Sequence, residues 1–125
     1  MDRRQLPEGW KVKKLGEICT IIAGQSPEGQ YYNQERIGLP FYQGKKEFGD
    51  KFIKAPQTWT QKITKEAEKG DILMSVRAPV GPINFATEKI CIGRGLAAIK
   101  AGDKIDNYFL FYELLSKQNE IKGNE

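Results

Sequence analysis

Two arginines stand at defined points of residues 69–101, a stretch dense in strand and turn residues. Arg77 closes the segment 72–77, in which two sets of side chains alternate, so a strand would send one set inward and present the arginine on the other face. Arg94 stands between two glycines, a pattern that predicts a bulge or a close backbone approach and an unusual backbone at the arginine. A guanidinium held in this way suits bidentate hydrogen bonding to phosphate or guanine.

Arg77 also has a purely structural interpretation. An ion pair with Asp71 or Glu88 would stabilise the turn predicted at residues 78–81. In that turn Pro79 fixes φ at the second position, and the final glycine relieves steric crowding where the chain leaves the turn. Both interpretations of Arg77 remain open, which makes Arg94 the clearer candidate for ligand contact.

Polar and aromatic side chains before these arginines form a second group of candidates. Residues 25–38 have no periodicity and predict a long loop, and a short strand with a glutamine and two lysines at its exit follows. Glutamine can address adenine, lysines can take flanking phosphates, and tyrosines can stack, although a surface loop has a similar composition for solubility alone. The candidates for DNA contact in this group are Gln25, Ser26, Tyr31, Tyr32, Asn33, Gln43, Lys45 and Lys46.

The charge of the chain is uneven along its length. The net charge is +4, yet residues 41–65 contain six lysines against two acids, whereas residues 102–125 contain three lysines against five acids. Aromatic residues are interleaved with the lysines of the basic segment, which is typical of nucleic-acid contact. Lysines in loops are more often simply solvated, so composition alone leaves the two interpretations even.

Missing residue types exclude most catalytic chemistry. The chain has no histidine, and therefore no catalytic triad, imidazole base or histidine metal ligand. Glu66, Glu68 and Asp71 flank a strand start, where solvated charge explains them better than an acid/base pair. Cys19 and Cys91 lack CxxC spacing and predict buried, unoxidised thiols. We expect a protein that is not an enzyme and binds no metal or cofactor itself.

The elements that position these residues predict an α+β fold. We expect a single domain over residues 1–125, with a core at about 6–117, built on a twisted, mainly antiparallel or mixed β-sheet with short packed helices. Residues 15–22 have helical spacing that we interpret as a short helix passing quickly into strand. No apolar run approaches the roughly 20 residues of a membrane span, so a cytoplasmic location is expected.

A closing helix is predicted after Asp106, which can cap its first turn. The predicted core stripe has the spacing i, i+3, i+4 and i+7 and consists of Tyr108, Phe111, Tyr112 and Leu115. Three further apolar residues widen the apolar surface and predict an exposed face for a partner or a homodimer, namely Phe109, Leu110 and Leu114.

Three segments in a fixed order resemble one protein family. GDILMSVRAPVG at 70–81 followed by IGRGLAAI at 92–99, LPEGWKVKKLGEI at 6–18 and GLPFYQG at 38–44 resemble the target recognition domain of the specificity subunit of type I restriction-modification enzymes. The resemblance implies a non-catalytic reader of one half of a bipartite double-stranded DNA site. It also implies methyltransferase and restriction subunits as partners, with S-adenosylmethionine on the adenine methyltransferase and ATP on the motor subunit.

This chain departs from the family pattern at its end. In the family, further chain completes the recognition domain and a long conserved helix follows, whereas this sequence stops after KQNEIKGNE. We therefore expect a truncated gene product, a crystallised fragment or a half subunit. Two other functions stay open: a protein-interaction module that acts through the apolar helix, and an RNA-binding domain that uses its tyrosines and lysines.

Overall fold

The computed structural model describes residues 19–78, 80–102 and 105–118. The turn predicted at Pro7, the core anchor predicted at Trp10 and the first segment of the family resemblance lie outside these ranges. The described strands are β1 Cys19–Ala23, β2 Tyr32–Asn33, β3 Leu39–Tyr42, β4 Trp59–Thr60, β5 Glu66–Ala67, β6 Ile72–Ser75, β7 Ile83–Phe85, β8 Ile90–Ile92 and β9 Leu96–Ala101. The helices are α1 Asn107–Ser116 and two 3-10 turns, Gly29–Tyr31 and Lys45–Glu47.

The strands form two sheets. The first has the order β1-β9-β6-β7 with antiparallel neighbours throughout, and the second has the order β2-β4-β3-β8-β5, in which β3 and β8 are parallel. An α+β domain with antiparallel and mixed sheets is therefore confirmed, with two sheets where the sequence predicted one. Strands β8 and β9 belong to different sheets, so the turn at 93–95 carries the chain from one sheet to the other.

Strand β6 explains why the first sheet is buried on both faces. Ile72 and Met74 pack in the cluster beneath α1, whereas Leu73 packs in the cluster that also contains residues of the second sheet. The predicted alternation therefore assigned these three side chains to the correct faces of the sheet. The strand ends at Ser75, however, so Arg77 is not on a strand face but lies exposed beyond the strand's end.

Strand β1 contains the point at which the sequence predicted a short helix to pass into strand. Cys19 pairs with Ala101 and Ala23 with Ala97 across an antiparallel ladder. The predicted passage into strand is therefore confirmed at the β-branched run Thr20-Ile21-Ile22. The helical prediction is wrong at Cys19, because a ladder partner supplied by β9 outweighs the local apolar spacing.

Helix α1 begins as predicted but is rotated relative to the predicted core stripe. Asp106 caps it by accepting a hydrogen bond from the backbone N–H of Phe109 at 3.0 Å. Leu110 and Leu114 are fully buried, so their predicted exposure is wrong, and Phe109 is partly buried against the same cluster. Phe111 is buried as predicted, but three members of the predicted core stripe are exposed: Tyr108, Tyr112 and Leu115. The sequence contains two overlapping stripes, and the one without phenol hydroxyls meets the sheet.

The three acids predicted to be solvated differ in the structure. Glu68 is exposed as predicted, whereas the Asp71 side chain is only 12% exposed and its carboxylate pairs with Lys100, so solvated charge does not explain Asp71. Glu66 forms an ion pair with Lys89 at 3.7 Å, where both side chains are largely solvated. Cys19 and Cys91 are buried and unoxidised, and burial raises the pKa of the Cys19 thiol to about 11. Among the helices of the described ranges, none is long and apolar enough to cross a membrane.

Candidate nucleic-acid interface

An open cleft of about 580 Å³ lies where the exits of β3 and β6 meet the turn at 93–95. Six of the predicted contact residues line it: Tyr32, Gln43, Lys45, Lys46, Arg77 and Arg94. The other lining residues are Phe41, Gly44, Glu47, Gln57, Thr58, Ser75, Ala78 and Gly95. Segments far apart in sequence thus bring four cationic side chains and two glutamines, Gln43 and Gln57, to a single concave surface.

The glycines that flank Arg94 create this convergence. Gly93 donates a backbone hydrogen bond to Tyr42 at 2.8 Å, and Gly95 donates one to Gln43 at 2.9 Å. A Cβ added to Gly95 would lie 2.6 Å from the carbonyl oxygen of Gln43, so only glycine fits there. The predicted close backbone approach is confirmed. The unusual backbone predicted at Arg94 does not take the form of a positive φ, because among the described non-glycine residues only Arg36 has one.

Arg77 is held near Arg94 by backbone contacts rather than by a carboxylate. The N–H of Val76 donates to the carbonyl of Gly95 at 3.0 Å, and Arg77 Nε lies 3.5 Å from the carbonyl oxygen of Arg94. Asp71 instead binds Lys100 Nζ through its carboxylate. Among the described residues, Arg77 forms no ion pair with Asp71 or Glu88, so both exposed guanidinium groups remain open to a ligand.

Ser26 lies behind the cleft and joins two of its residues. Its hydroxyl donates to Oε1 of Gln43 at 2.5 Å, and it accepts the backbone N–H of Arg94 at 3.1 Å. Ser26 does not line the cleft itself, and its predicted contact with DNA stays a prediction; in the structure its hydroxyl connects Gln43 to Arg94.

The lysines and the acid of the cleft lie on one 3-10 turn, Lys45–Glu47, which starts directly after Gly44. Lys45 and Lys46 are exposed, so their ammonium groups can follow a phosphate backbone. Glu47, one of the two acids counted against the lysines of residues 41–65, lies beside them and opposes anion binding locally.

Gln57 and Thr58 are lining residues that the sequence analysis missed. The N–H of Phe41 donates to the carbonyl of Thr58 at 2.8 Å, which brings this irregular segment against β3. The hydroxyl of Tyr42 donates to the carbonyl of Lys54 at 2.6 Å and anchors the same segment, and burial raises the pKa of this hydroxyl. No motif or periodicity marks residues 54–58, so only the fold reveals them.

Aromatic groups form one wall of the cleft. The Tyr32 ring stacks on Phe41 with 4.9 Å between ring centres, and its hydroxyl donates to the carbonyl of Pro27 at 2.8 Å. Tyr32 is therefore fixed in place. Tyr31 does not line the cleft; its ring lies 5.5 Å from Lys62 Nζ instead.

Asn33 and Gln25 are also outside the cleft. The Asn33 side chain accepts from the backbone N–H groups of Glu35 and Ile37 and donates to the carbonyl of Ile37, so its amide serves the loop. Gln25 is exposed, and its backbone N–H donates to Ile92. Among the described residues, no group of three acidic, cysteine or histidine side chains is close enough to hold a metal ion.

Comparison with known proteins identifies the family. The family model for the type I restriction modification DNA specificity domain matches residues 7–125. The chain is 50% identical over 113 residues to the specificity subunit of the type I restriction enzyme MjaX from Methanocaldococcus jannaschii, covering 88% of this chain and 26% of that protein. It is 25% identical over 124 residues to the MjaIX specificity subunit of the same organism, covering 93% of this chain and 29% of that protein.

Solved structures agree with these sequence matches. A chain from a study of complex assembly and conformational transition of the type I R-M system has a TM-score of 0.83 and 48% identity, over 93% of this chain and 30% of that one. The HsdS subunit from Thermoanaerobacter tengcongensis has a TM-score of 0.82 and 47% identity, over 96% of this chain and 30% of that one. This chain spans less than a third of the length of these relatives. It belongs to the type I restriction modification DNA specificity domain family.

Proposed function

We propose that this domain reads one half of a bipartite DNA target for a type I restriction-modification adenine methyltransferase and endonuclease complex. The observation that carries the proposal is the cleft, which gathers two arginines, two lysines and two glutamines from separate segments. Family membership supports a role in DNA specificity rather than catalysis.

The residues of the cleft divide by the contact they suit. Lys45 and Lys46 are exposed, flexible cations, which suit phosphates and give affinity without sequence preference. The side-chain amide of Gln43 and the backbone of Arg94 are held by Ser26 and by the turn at 93–95, which suits both residues to readout of base edges. Arg77 is exposed beside Arg94 and suits either contact.

The partners follow from the same proposal. Methyltransferase and restriction subunits would assemble with the complete specificity subunit, with S-adenosylmethionine on the methyltransferase and ATP on the motor subunit, and no cofactor on this chain. Homodimerisation stays a prediction. It can no longer use the surface first assigned to it, because Leu110 and Leu114 are buried within one chain. RNA binding is the weaker candidate, since Tyr32 already stacks on Phe41.

Selection of duplexes from a randomised pool, with the wild-type chain and with Arg94→Ala, tests the proposal. We expect weak but sequence-dependent binding by the wild type. Arg94→Ala should lower affinity for the selected sequence by about 5- to 150-fold, the equivalent of about 1 to 3 kcal/mol for a bidentate contact to guanine, and much less for random duplexes.

Arg36→Ala is the matched control, because Arg36 is exposed and lies outside the cleft, with its guanidinium 5.8 Å from the centre of the Trp59 ring. It removes the same charge and should leave selection unchanged. Equal losses on selected and random duplexes for Arg94→Ala would refute base reading by Arg94. Failure of the wild type to enrich any sequence would refute the proposed function.

A further inference from the structure

We propose that Ser26 fixes the side-chain amide of Gln43 so that its amino group, and not its carbonyl, meets the DNA, and that Gln43 therefore selects guanine. The inference rests on the proposed function, since it concerns the same cleft. It also replaces the adenine contact that the sequence suggested for this glutamine.

The hydrogen bonds of Ser26 determine the orientation of the amide. The Arg94 backbone N–H donates to Ser26 Oγ at 3.1 Å, which leaves the hydroxyl proton available for Gln43. The distance from Ser26 Oγ to Gln43 Oε1 is 2.5 Å. That distance falls within the range of O–H···O hydrogen bonds and is short for an N–H···O bond. The amide atom at Ser26 is therefore the carbonyl oxygen.

Gly93 covers the same oxygen from another direction. A Cβ on Gly93 would lie 2.5 Å from Gln43 Oε1 and 2.7 Å from Ser26 Oγ, so the carbonyl is packed against a backbone that tolerates no side chain. Gln43 is nevertheless exposed and lines the cleft. Within the described ranges, no group accepts a hydrogen bond from Nε2, so the amino group is the part of the amide left for a ligand.

This orientation changes which base the glutamine fits. A glutamine with both amide atoms available reads adenine by donating to N7 and accepting from the N6 amino group. A fixed Gln43 offers only donors. Guanine presents two acceptors in the major groove, N7 and O6, and thymine presents one, O4, whereas the amino groups of adenine and cytosine would face the donor of Gln43. Guanine offers this donor two acceptors and no amino group, and is therefore the base that the arrangement fits best.

The geometric part is tested without DNA by side-chain amide NMR. The Gln43 Nε2 group of the wild type should be ordered, and Ser26→Ala should release it to the order parameter of an exposed glutamine. Ser26→Thr keeps a hydroxyl and should retain the order. A wild-type amide as mobile as that of the exposed Gln34 would overturn the proposal whether or not the chain binds DNA.

The base preference is tested by duplex selection with the wild type, Gln43→Ala and the two Ser26 variants. Gln43→Ala identifies the position that Gln43 reads, and we expect guanine there in the wild type. Ser26→Ala should lower the preference for guanine over adenine at that position about fivefold, the effect of one hydrogen bond, while Ser26→Thr preserves it.

Three outcomes would overturn the proposal: adenine at the Gln43-dependent position, no position that depends on Gln43, or an equal loss for Ser26→Ala on all sequences. If the wild type selects a sequence and Arg94→Ala weakens it while one of these outcomes holds, the proposed function survives and this inference alone fails. If the wild type selects no sequence at all, both the proposed function and this inference are refuted.

Discussion

Neutralising the two lysines of the 3-10 turn should weaken the salt dependence of DNA binding by a calculable amount. Lys45→Ala/Lys46→Ala removes two of the four cationic side chains that line the cleft, and both lysines are exposed, so the fold should be unaffected. The assay is fluorescence anisotropy with a labelled duplex across a series of salt concentrations.

The magnitude follows from counterion release. If each of the four cations neutralises one phosphate, log K falls with log salt at a slope of about −3.6, because each phosphate contact contributes about −0.9. The double variant should have a slope of about −1.8. Between about 50 and about 200 mM salt, wild-type affinity should then fall about 150-fold and that of the variant about 12-fold.

Lys65→Ala/Lys69→Ala is the matched control, since it removes the same charge from exposed positions outside the cleft. Its slope should stay at the wild-type value. Equal slopes for the two double variants would mean that DNA responds to the net charge of the chain rather than to this cleft, and the assignment of the lysines to phosphates would be wrong.

Two further predictions concern the stability of the fold. Leu110→Ala and Leu114→Ala should each lower the free energy of unfolding by about 2 to 5 kcal/mol in urea titrations, because both side chains are fully buried. Leu115→Ala, at the exposed face, should change this free energy little. Equal stability of all three variants would contradict the orientation of α1. Burial raises the pKa of the Cys19 thiol from 9.0 to about 11, so its contribution to stability is fully present below pH 9 and is lost as the pH rises toward 11. Cys19→Ala should show a smaller loss of stability than the wild type over that pH range, and identical profiles would refute the assignment.

Local sequence predicted the elements that carry the arginines. Apolar alternation indicated β6, and the paired glycines of residues 93–95 predicted a close backbone approach. These features follow from short-range sterics: side chains alternate across a strand, and glycine alone admits a neighbouring backbone within contact distance. The family resemblance drew on the same segments, which explains why family and fold class were correct together.

The orientation of helix α1 was not readable from the sequence. Nearly every position from Tyr108 to Leu115 is apolar or aromatic, so two stripes with the same helical spacing compete. Packing against β7 and β9 selected the stripe that contains Leu110, Phe111 and Leu114 and left two tyrosines at the surface. A periodicity gives the spacing of a buried face, but the neighbouring sheet decides which face is buried.

The sequence by itself determined that histidine-based catalysis and histidine metal ligands are excluded. It also determined that one arginine, Arg94, stands between two glycines and that another, Arg77, precedes a predicted turn. Only the tertiary structure decided which candidates act together. Parallel pairing of β3 with β8 brings Gln43 to the turn that holds Arg94, across about 50 residues of sequence. Pairing of β1 with β9, continued by the hydrogen bonds of Gly24 and Gln25 to Leu96 and Ile92, brings Ser26 to Gln43 and Arg94, whereas Asn33 and Tyr31 make other contacts. Such long-range register depends on the packing of whole sheets, which no local pattern encodes.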